Sequence, residues 1–137
     1  MSFLPPPDKS IKVTKQSGAF WQVEAAIEAF ELGRFECAVT LAGAAEGMLP
    51  ENPNQAIFSG LVDHPKKPTS ITRKDFIAVI NLERDWLKHL TPDVAAEMEI
   101  TLFDAAFMVV RAMARLEQWS PKMEDFKSWY MAFIRPL

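Results

Sequence analysis

Apolar side chains recur every three or four residues along most of this chain, which is the spacing of amphipathic helices. The pattern predicts a first helix from Gly18 to Leu32 and a second from Arg34 to Leu49. Gly33 lies between them, where a left-handed residue often ends a helix, and so short a connection makes the pair an antiparallel hairpin. The inward positions are Phe20, Val23, Ile27 and Phe30 in the first helix, and Phe35, Ala38, Leu41, Ala45, Met48 and Leu49 in the second.

Three more helices are predicted in the second half of the chain, from near Thr72 to Lys88, from Thr91 to Glu117, and from Ser120 to just before Pro136. Threonine is a good N-cap, and the proline directly after Thr91 suits the first turn of a helix. In the fourth helix the acids come early and Arg111 and Arg115 come late, as the helix dipole favours. No strand pattern is found. The sequence therefore predicts an all-α protein, an up-down bundle of about five helices.

These helices are expected to form one domain that is preceded by a short arm. Residues 1–16 are rich in proline and then in lysine, and we expect a tail or an arm along the surface. Residues 17–137 are expected to form a single helical-bundle domain, since a chain of 137 residues can bury one hydrophobic core. Residues 50–72 are proline-rich without a lasting period, which predicts a long loop and a functional or mobile segment.

Composition narrows the classes of function. A net charge of −3 and a pI near 5.4 argue against a protein held on nucleic acid by bulk positive charge. Cys37 is the only cysteine and is expected to be a buried thiol. The chain has only two histidines, His64 and His89, so neither a metal nor another cofactor is expected. No segment approaches the ~20 apolar residues of a membrane span, and the N terminus lacks signal-peptide features. We therefore expect a cytoplasmic protein without membrane contact.

One stretch of this acidic chain is basic. No acidic residue occurs between His64 and Lys74, whereas Lys66, Lys67, Arg73 and Lys74 are cationic. Clustered lysines and arginines attract phosphate groups. These four residues are therefore candidates for guiding an RNA, while the histidine is more simply a loop residue.

A second candidate site is the run NLERDWLKH, residues 81–89, at the end of the third predicted helix. Arg84 supplies a permanent planar cation that suits a phosphate, and His89 supplies the side chain that exchanges protons near neutral pH. Such a pair could cut RNA without a metal, because a base takes the 2′-hydroxyl proton while a cation holds the phosphate. Asn81, Asp85 and Lys88 share the helix face of Arg84. Asn81 and Lys88 are candidate phosphate contacts, although either can equally be an ordinary surface residue.

Helix geometry sets a condition on the arginine–histidine pair. Five residues on a straight helix turn through about 500°, which leaves Arg84 and His89 about 140° apart. They converge only if the helix ends or bends before His89, or if a second subunit completes the site. Pro92 favours the first route, because the residue before a proline is pushed out of helical geometry.

The candidates also have purely structural interpretations. Arg84 can pair with a neighbouring acid, Asp85 or Glu83, on a solvated face, or it can stabilise a dimer. His89, as a cation near a helix C terminus, can interact with the helix dipole. The aromatic side chains of the last helix are expected to be core or dimer interface rather than a base-stacking platform. They are Phe126, Trp129, Tyr130 and Phe133.

Parts of the chain resemble two known families. The hairpin resembles a tetratricopeptide unit, but that fold needs stacked copies about 34 residues apart, and one period past Ala25 the chain enters the proline-rich loop. The chain also resembles the HEPN superfamily, small helical bundles common in prokaryotic toxin–antitoxin and defence systems. The likeness lies in the hairpin from Ala26 to Glu46 and in the family's motif of an arginine, a polar residue, about three others and a histidine, matched by residues 84–89.

The HEPN resemblance implies a homodimer whose two motifs meet in a cleft and cut RNA without a metal or cofactor. It implies that Arg84 holds the scissile phosphate, that His89 acts as acid or base or positions the 2′-hydroxyl, and that Asp85 orients one of them. The family often has asparagine at the position of Asp85. A cognate antitoxin or a nucleotidyltransferase-like protein is the partner expected of such a toxin. Two alternatives stay open: a non-catalytic HEPN-like module that binds a partner protein or nucleotide, and a helical bundle without a site.

Overall fold

Five helices make up most of the described chain. The computed structural model describes residues 4–51, 73–89 and 97–134. The helices are α1 (Lys15–Glu31), α2 (Phe35–Met48), α3 (Arg73–Lys88), α4 (Leu102–Met113) and α5 (Pro121–Ile134). These ranges contain no strand, so the all-α prediction is confirmed. None of the helices described is long and apolar enough to cross a membrane.

The predicted hairpin is present, and its ends are set by local hydrogen bonds. α1 begins three residues before the predicted Gly18, because Thr14 and Ser17 form a reciprocal capping box. Gly33 has a φ of 76°, a value that a residue without Cβ adopts at little cost. This left-handed residue lets the amide of Arg34 donate to the carbonyl of Ala29 at 2.9 Å and turns the chain back into α2.

The fourth helix is shorter than the sequence pattern predicts. The expected start at Thr91 lies outside the described residues, but residues 97–101 are not helical and α4 begins only at Leu102. Thr101 is the actual N-cap, because its hydroxyl oxygen accepts from the amide of Asp104 at 3.1 Å. The helix ends at Met113 rather than Glu117, and bonds to carbonyls three residues back tighten the chain there.

Small side chains place α2 at the centre of the bundle. Ala38, Ala42 and Ala45 are buried, and α2 packs most extensively against α1 and then α4. Cys37 points away from this interface and is exposed, so its expected burial is wrong: it belongs to the outer face of the helix. The largest fully buried side chains are Tyr130, Phe107, Ile27, Met108, Met113, Leu116 and Met123.

Contacts between side chains fix the directions of the helices. α4 runs parallel to α2, because Leu102 and Phe35 line one cavity while Arg111 meets Glu46 at the other end. α5 runs parallel to α1 in the same way, since Lys122 meets Glu28 and the phenyl rings of residues 126 and 30 touch. With α1 and α2 antiparallel, α1 and α5 run opposite to α2 and α4, as in an up-down bundle. The two ends of α2 therefore have different surroundings, aromatic at the start and charged at the finish.

Candidate phosphate-binding site around Arg84

The position of Arg84 is set by a glycine on the neighbouring helix. A Cβ atom on Gly43 of α2 would lie 2.6 Å from Cδ and 2.7 Å from Cγ of Arg84, closer than such atoms approach. The aliphatic part of the arginine therefore lies directly on the backbone of α2. Since α3 approaches α2 at this point, the glycine determines where the guanidinium group can be.

A buried carboxylate holds the arginines together. Glu46 is only 6% exposed, and Arg111 of α4 binds it in a bidentate manner, with Nε–Oε2 2.7 Å and Nη2–Oε1 2.8 Å. Nη1 of Arg84 lies 3.5 Å from the same Oε1. A carboxylate is stable in so dry a place only when cations and hydrogen bonds replace its water, as the bidentate arginine does here.

Further hydrogen bonds tie this cluster to the end of α2. Oδ1 of Asn81 accepts from Nη1 of Arg111 at 2.7 Å. Asn81, a predicted phosphate contact, is therefore hydrogen-bonded within the protein. Nη1 of Arg115 donates to the carbonyls of Glu46 and Leu49, at 2.9 and 2.8 Å. These carbonyls belong to the last turn of α2, where a helix leaves acceptors without partners. Three arginines thus converge on one glutamate.

Arg84 retains donors that the other arginines have used. All three nitrogens of Arg111 are bonded, and its side chain is 14% exposed. Arg84 is 21% exposed, and its Nε donates to Oδ1 of Asp85 at 3.2 Å. Within the described ranges its Nη groups have only the long contact with Glu46. A guanidinium has five N–H donors, so Arg84 is held in place with capacity for a further anion.

The predicted end of α3 at Lys88 is confirmed, but the backbone does not bend there. The amide of His89 still donates to the carbonyl of Asp85 at 3.0 Å, as in a regular helix. Lys88 and His89 are both exposed. In the parts of the chain that the structure describes, no hydrogen bond or ion pair joins the imidazole to Arg84. The two motif residues therefore do not converge within one chain through a helix break.

The basic stretch is only partly within the described residues. Lys66 and Lys67 lie outside them, and so do residues 52–72 of the predicted long loop. Arg73 and Lys74 begin α3. At a rise of about 1.5 Å per residue, their backbone lies about 15 Å along the helix from Arg84. The predicted RNA contacts of Arg73 and Lys74 are thus at the opposite end of α3 from the arginine cluster.

Glu83 is not the partner of Arg84, which pairs with Asp85 and Glu46 instead. The Glu83 side chain is buried, and its Oε2 has no hydrogen-bond partner among the described residues. Its pKa is raised from 4.5 to about 9, chiefly by burial and also by the hydrogen bond with Asp104 and the negative charge of that residue. Near neutral pH the Glu83 carboxyl is therefore protonated and uncharged.

Sequence reasoning found three members of the cluster and missed three. Asn81, Arg84 and Asp85 were candidates, whereas Glu46, Arg111 and Arg115 were not. A glutamate within the run of alanines and glycines of α2 was the available signal, because an acid on a helix face this apolar needs a buried cation. Arg111 and Arg115 come late in the predicted helix, where the helix dipole alone accounts for basic residues. The sequence therefore gave no reason to expect that they bind Glu46.

Comparisons with models of known families, with curated proteins and with solved structures give no match for this chain.

Proposed function

We propose that this protein is a HEPN-like, metal-independent endoribonuclease in which Arg84 binds the scissile phosphate and His89 moves the proton. The observation that supports it most is the state of Arg84. Its side chain is fixed on Gly43 by Glu46 and Asp85, and its Nη groups keep donors for an anion. An arginine held in advance in this way loses little freedom when a phosphate binds.

The proposed reaction needs no metal, because the attacking group belongs to the RNA. The 2′-oxygen bonds to phosphorus while the bond from phosphorus to the 5′-oxygen breaks, which leaves a 2′,3′-cyclic phosphate and a 5′-hydroxyl. A base removes the 2′-hydroxyl proton, and an acid returns a proton to the leaving oxygen. His89 serves as this acid or base, and Arg84 balances the charge that develops on the phosphate.

The remaining motif residues have supporting roles in this proposal. Asp85 accepts from Nε of Arg84 and so orients its guanidinium. Asn81 acts through Arg111, which it helps to hold. Lys88 is exposed next to His89 and binds a neighbouring phosphate of the strand, and the basic residues Lys66, Lys67, Arg73 and Lys74 guide the RNA towards the site.

A homodimer is part of the proposal, since Arg84 and His89 are separated on one helix. Two copies of α3 that face each other bring the arginine of one subunit to the histidine of the other. A toxin or defence protein of the cytoplasm, with a cognate antitoxin or a nucleotidyltransferase-like partner, is the context that the HEPN resemblance suggests.

The experiment is cleavage of a mixed RNA pool in EDTA by the wild type, Arg84→Ala and His89→Ala. We expect cyclic-phosphate products from the wild type and a loss of about a hundredfold or more in each variant. Arg34→Ala is the matched control, because Arg34 is an exposed arginine at the start of α2, far from the cluster. RNA whose 2′-hydroxyls are replaced by hydrogen must resist cleavage.

Mixing the two inactive variants tests the shared site. A mixed dimer of Arg84→Ala and His89→Ala has one complete site if each site takes its arginine from one subunit and its histidine from the other. Partial recovery of cleavage on mixing supports this arrangement. Sites within single subunits give no recovery, and a wild type that stays monomeric at micromolar concentration contradicts the proposed dimer.

The second candidate is a non-catalytic HEPN-like module that binds a partner protein or a nucleotide through the same surface. The observation that favours it is the pair of carboxylates on Arg84, at 3.2 Å from Asp85 and 3.5 Å from Glu46, because negative charges repel a phosphate. Asp85→Asn separates the candidates. In a module that binds a nucleotide, this variant increases nucleotide affinity and neither it nor the wild type cleaves RNA, whereas in an enzyme it changes the rate of cleavage.

A further inference from the structure

A groove at the other end of the bundle has the size of a ligand site. It has a volume of about 820 Å³ and lies where the turn from α1 to α2 meets the start of α4 and the middle of α5. Its apolar walls are Phe30, Phe35, Leu102, Phe126 and Trp129. Sites for small organic molecules have volumes of roughly 300–1,000 Å³ and mainly apolar or aromatic walls.

The rings in this groove meet at steep angles and form a concave surface. The ring of Phe30 lies 5.3 Å from that of Phe126 at an interplanar angle of 82°, and 5.3 Å from that of Trp129 at 64°. Phe35 closes the side towards α2, 5.5 Å from Phe30. Trp129 stays 39% exposed, although it stacks on Phe133. Aromatic side chains that line a pocket can hold an organic cation against a ring face.

The charge around the groove is negative. Among the described residues, Lys122 is the only basic side chain that lines it, and Glu28 at 2.7 Å and Glu24 at 3.7 Å neutralise it. The hydrogen bond to Glu28 raises the pKa of this lysine, so it stays charged. Glu31 and Asp125 also line the groove, and no ion pair within 4 Å engages either of them in the described ranges, although the charge of Glu31 also raises the pKa of Lys122. Arg34, in the turn beside the groove, is exposed and does not line it.

The groove is separate from the arginine cluster. Phe35 and Glu46 are eleven residues apart on α2, which is about 16 Å along the helix. None of the residues that hold Arg84 lines the groove. Whatever binds here is recognised by aromatic faces and carboxylates, the reverse of the chemistry at the other end of the helix.

We propose that this groove binds a small organic cation, one with an apolar body and an ammonium head. The body packs against Phe35, Phe126 and Leu102. The head lies against the faces of Phe30 and Trp129, and the carboxylates of Asp125 and Glu31 supply the charge opposite to it. A neutral molecule is not attracted by the charge of the two carboxylates, and an anion is repelled by it.

The test compares three probes with the same benzyl body: benzyltrimethylammonium, benzyl alcohol and phenylmethanesulfonate. Binding to the full-length protein is followed by the NMR signal of the Trp129 indole N–H. We expect the ammonium probe to bind about tenfold tighter than the alcohol, and the sulfonate to bind more weakly than either. The preference for the cation is expected to weaken at high salt.

Two pairs of variants locate the site. Trp129→Ala, followed through other signals of the groove, is expected to weaken binding of the ammonium probe about tenfold, whereas Trp21→Ala changes an exposed tryptophan of α1 outside the groove and is expected to have no effect. Asp125→Asn is expected to weaken binding of the ammonium probe several-fold and to leave the affinity for benzyl alcohol unchanged. The substitution removes the charge of the side chain and keeps its shape. Asp125 is exposed, so this variant keeps its fold.

Three results overturn the inference: equal affinity for all three probes, the absence of binding at millimolar concentrations, or an ammonium affinity that Asp125→Asn does not change. The inference does not depend on ribonuclease activity. Arg84→Ala is expected to leave probe binding unchanged, and Asp125→Asn is expected to leave RNA cleavage unchanged.

Discussion

A methyl group added to Gly43 meets the arginine that crosses it. Gly43→Ala puts a Cβ atom 2.6 Å from Cδ of Arg84, so the middle of a partly buried side chain has to move. Overpacking of this kind costs about 1–3 kcal/mol, and the better helix propensity of alanine offsets about 1 kcal/mol of it. We expect a net loss of about 1 kcal/mol in urea unfolding, together with weaker RNA cleavage.

Gly47→Ala is the matched control on the same helix. Nothing lies within 4 Å of a Cβ atom on Gly47, so only the helix propensity changes. We expect this variant to gain up to about 1 kcal/mol. If Gly43→Ala is equally stabilised, Arg84 does not lie on the backbone of α2.

Glu83 makes stability depend on pH. Its pKa is about 9 in the folded protein and near 4.5 when the chain is unfolded, so between these values the folded state binds one proton more. The contribution of Glu83 to the free energy of unfolding is therefore highest below about pH 4.5. It falls as the pH rises and levels off above about pH 9. One proton corresponds to a slope of at most about 1.4 kcal/mol per pH unit.

Glu83→Gln tests this dependence, because glutamine has a similar shape and cannot ionise. We expect urea unfolding between pH 5 and pH 9 to show a smaller loss of stability in the variant, which becomes more stable than the wild type at the alkaline end. Parallel pH curves for the two proteins would mean that the folded protein ionises Glu83 normally.

At the scale of single elements, Thr101 defines where α4 begins. Thr101→Ala removes the oxygen that accepts from the amide of Asp104. We expect a loss of about 1 kcal/mol in thermal or urea unfolding, with α4 fraying at its first turn. Thr101→Ser keeps the hydroxyl and is expected to retain most of the stability. A serine variant as unstable as the alanine variant would show that the methyl group, not the cap, matters.

Local signals predicted the elements well where they were explicit. Gly33 marked the turn of the hairpin, and its φ of 76° is the left-handed conformation that the position required. The start of α4 was missed because Pro92 was the more conspicuous signal, although Thr101 three residues before Asp104 is also a capping pattern. The predicted helix ends are therefore less dependable than the helices.

Contacts between distant elements could not be read from the chain. Arg111 and Glu46 are 65 residues apart, and their pairing depends on the parallel packing of α2 and α4. The face that Arg84 shares with Asn81 and Asp85 was predictable from helical spacing alone. What each of them binds was not, because it depends on which helix covers that face.

At the scale of the whole molecule, Glu46 links three helices. Its carboxylate binds Arg111 of α4 and Arg84 of α3, while its own backbone belongs to α2. Glu46→Gln leaves two partly buried guanidinium groups without their counter-charge. We expect a loss of about 3–5 kcal/mol in urea unfolding, as when one partner of a buried ion pair is removed.

Glu36→Gln is the control for this prediction, because Glu36 is an exposed acid in the first turn of the same helix. Loss of its favourable position near the helix dipole is expected to cost less than about 1 kcal/mol. If both variants lose the same small amount, the carboxylate of Glu46 does not hold the three helices together.

The contact between Gly43 and Arg84 also restricts the order in which the two positions can change during evolution. A larger residue at position 43 costs stability as long as position 84 keeps its long side chain, whereas a shorter residue at position 84 is tolerated with glycine still present. Loss of the arginine before the glycine is therefore the favoured order of substitution. Homologous chains that keep arginine here are expected to keep the glycine, and those that lose the glycine are expected to have lost the arginine first.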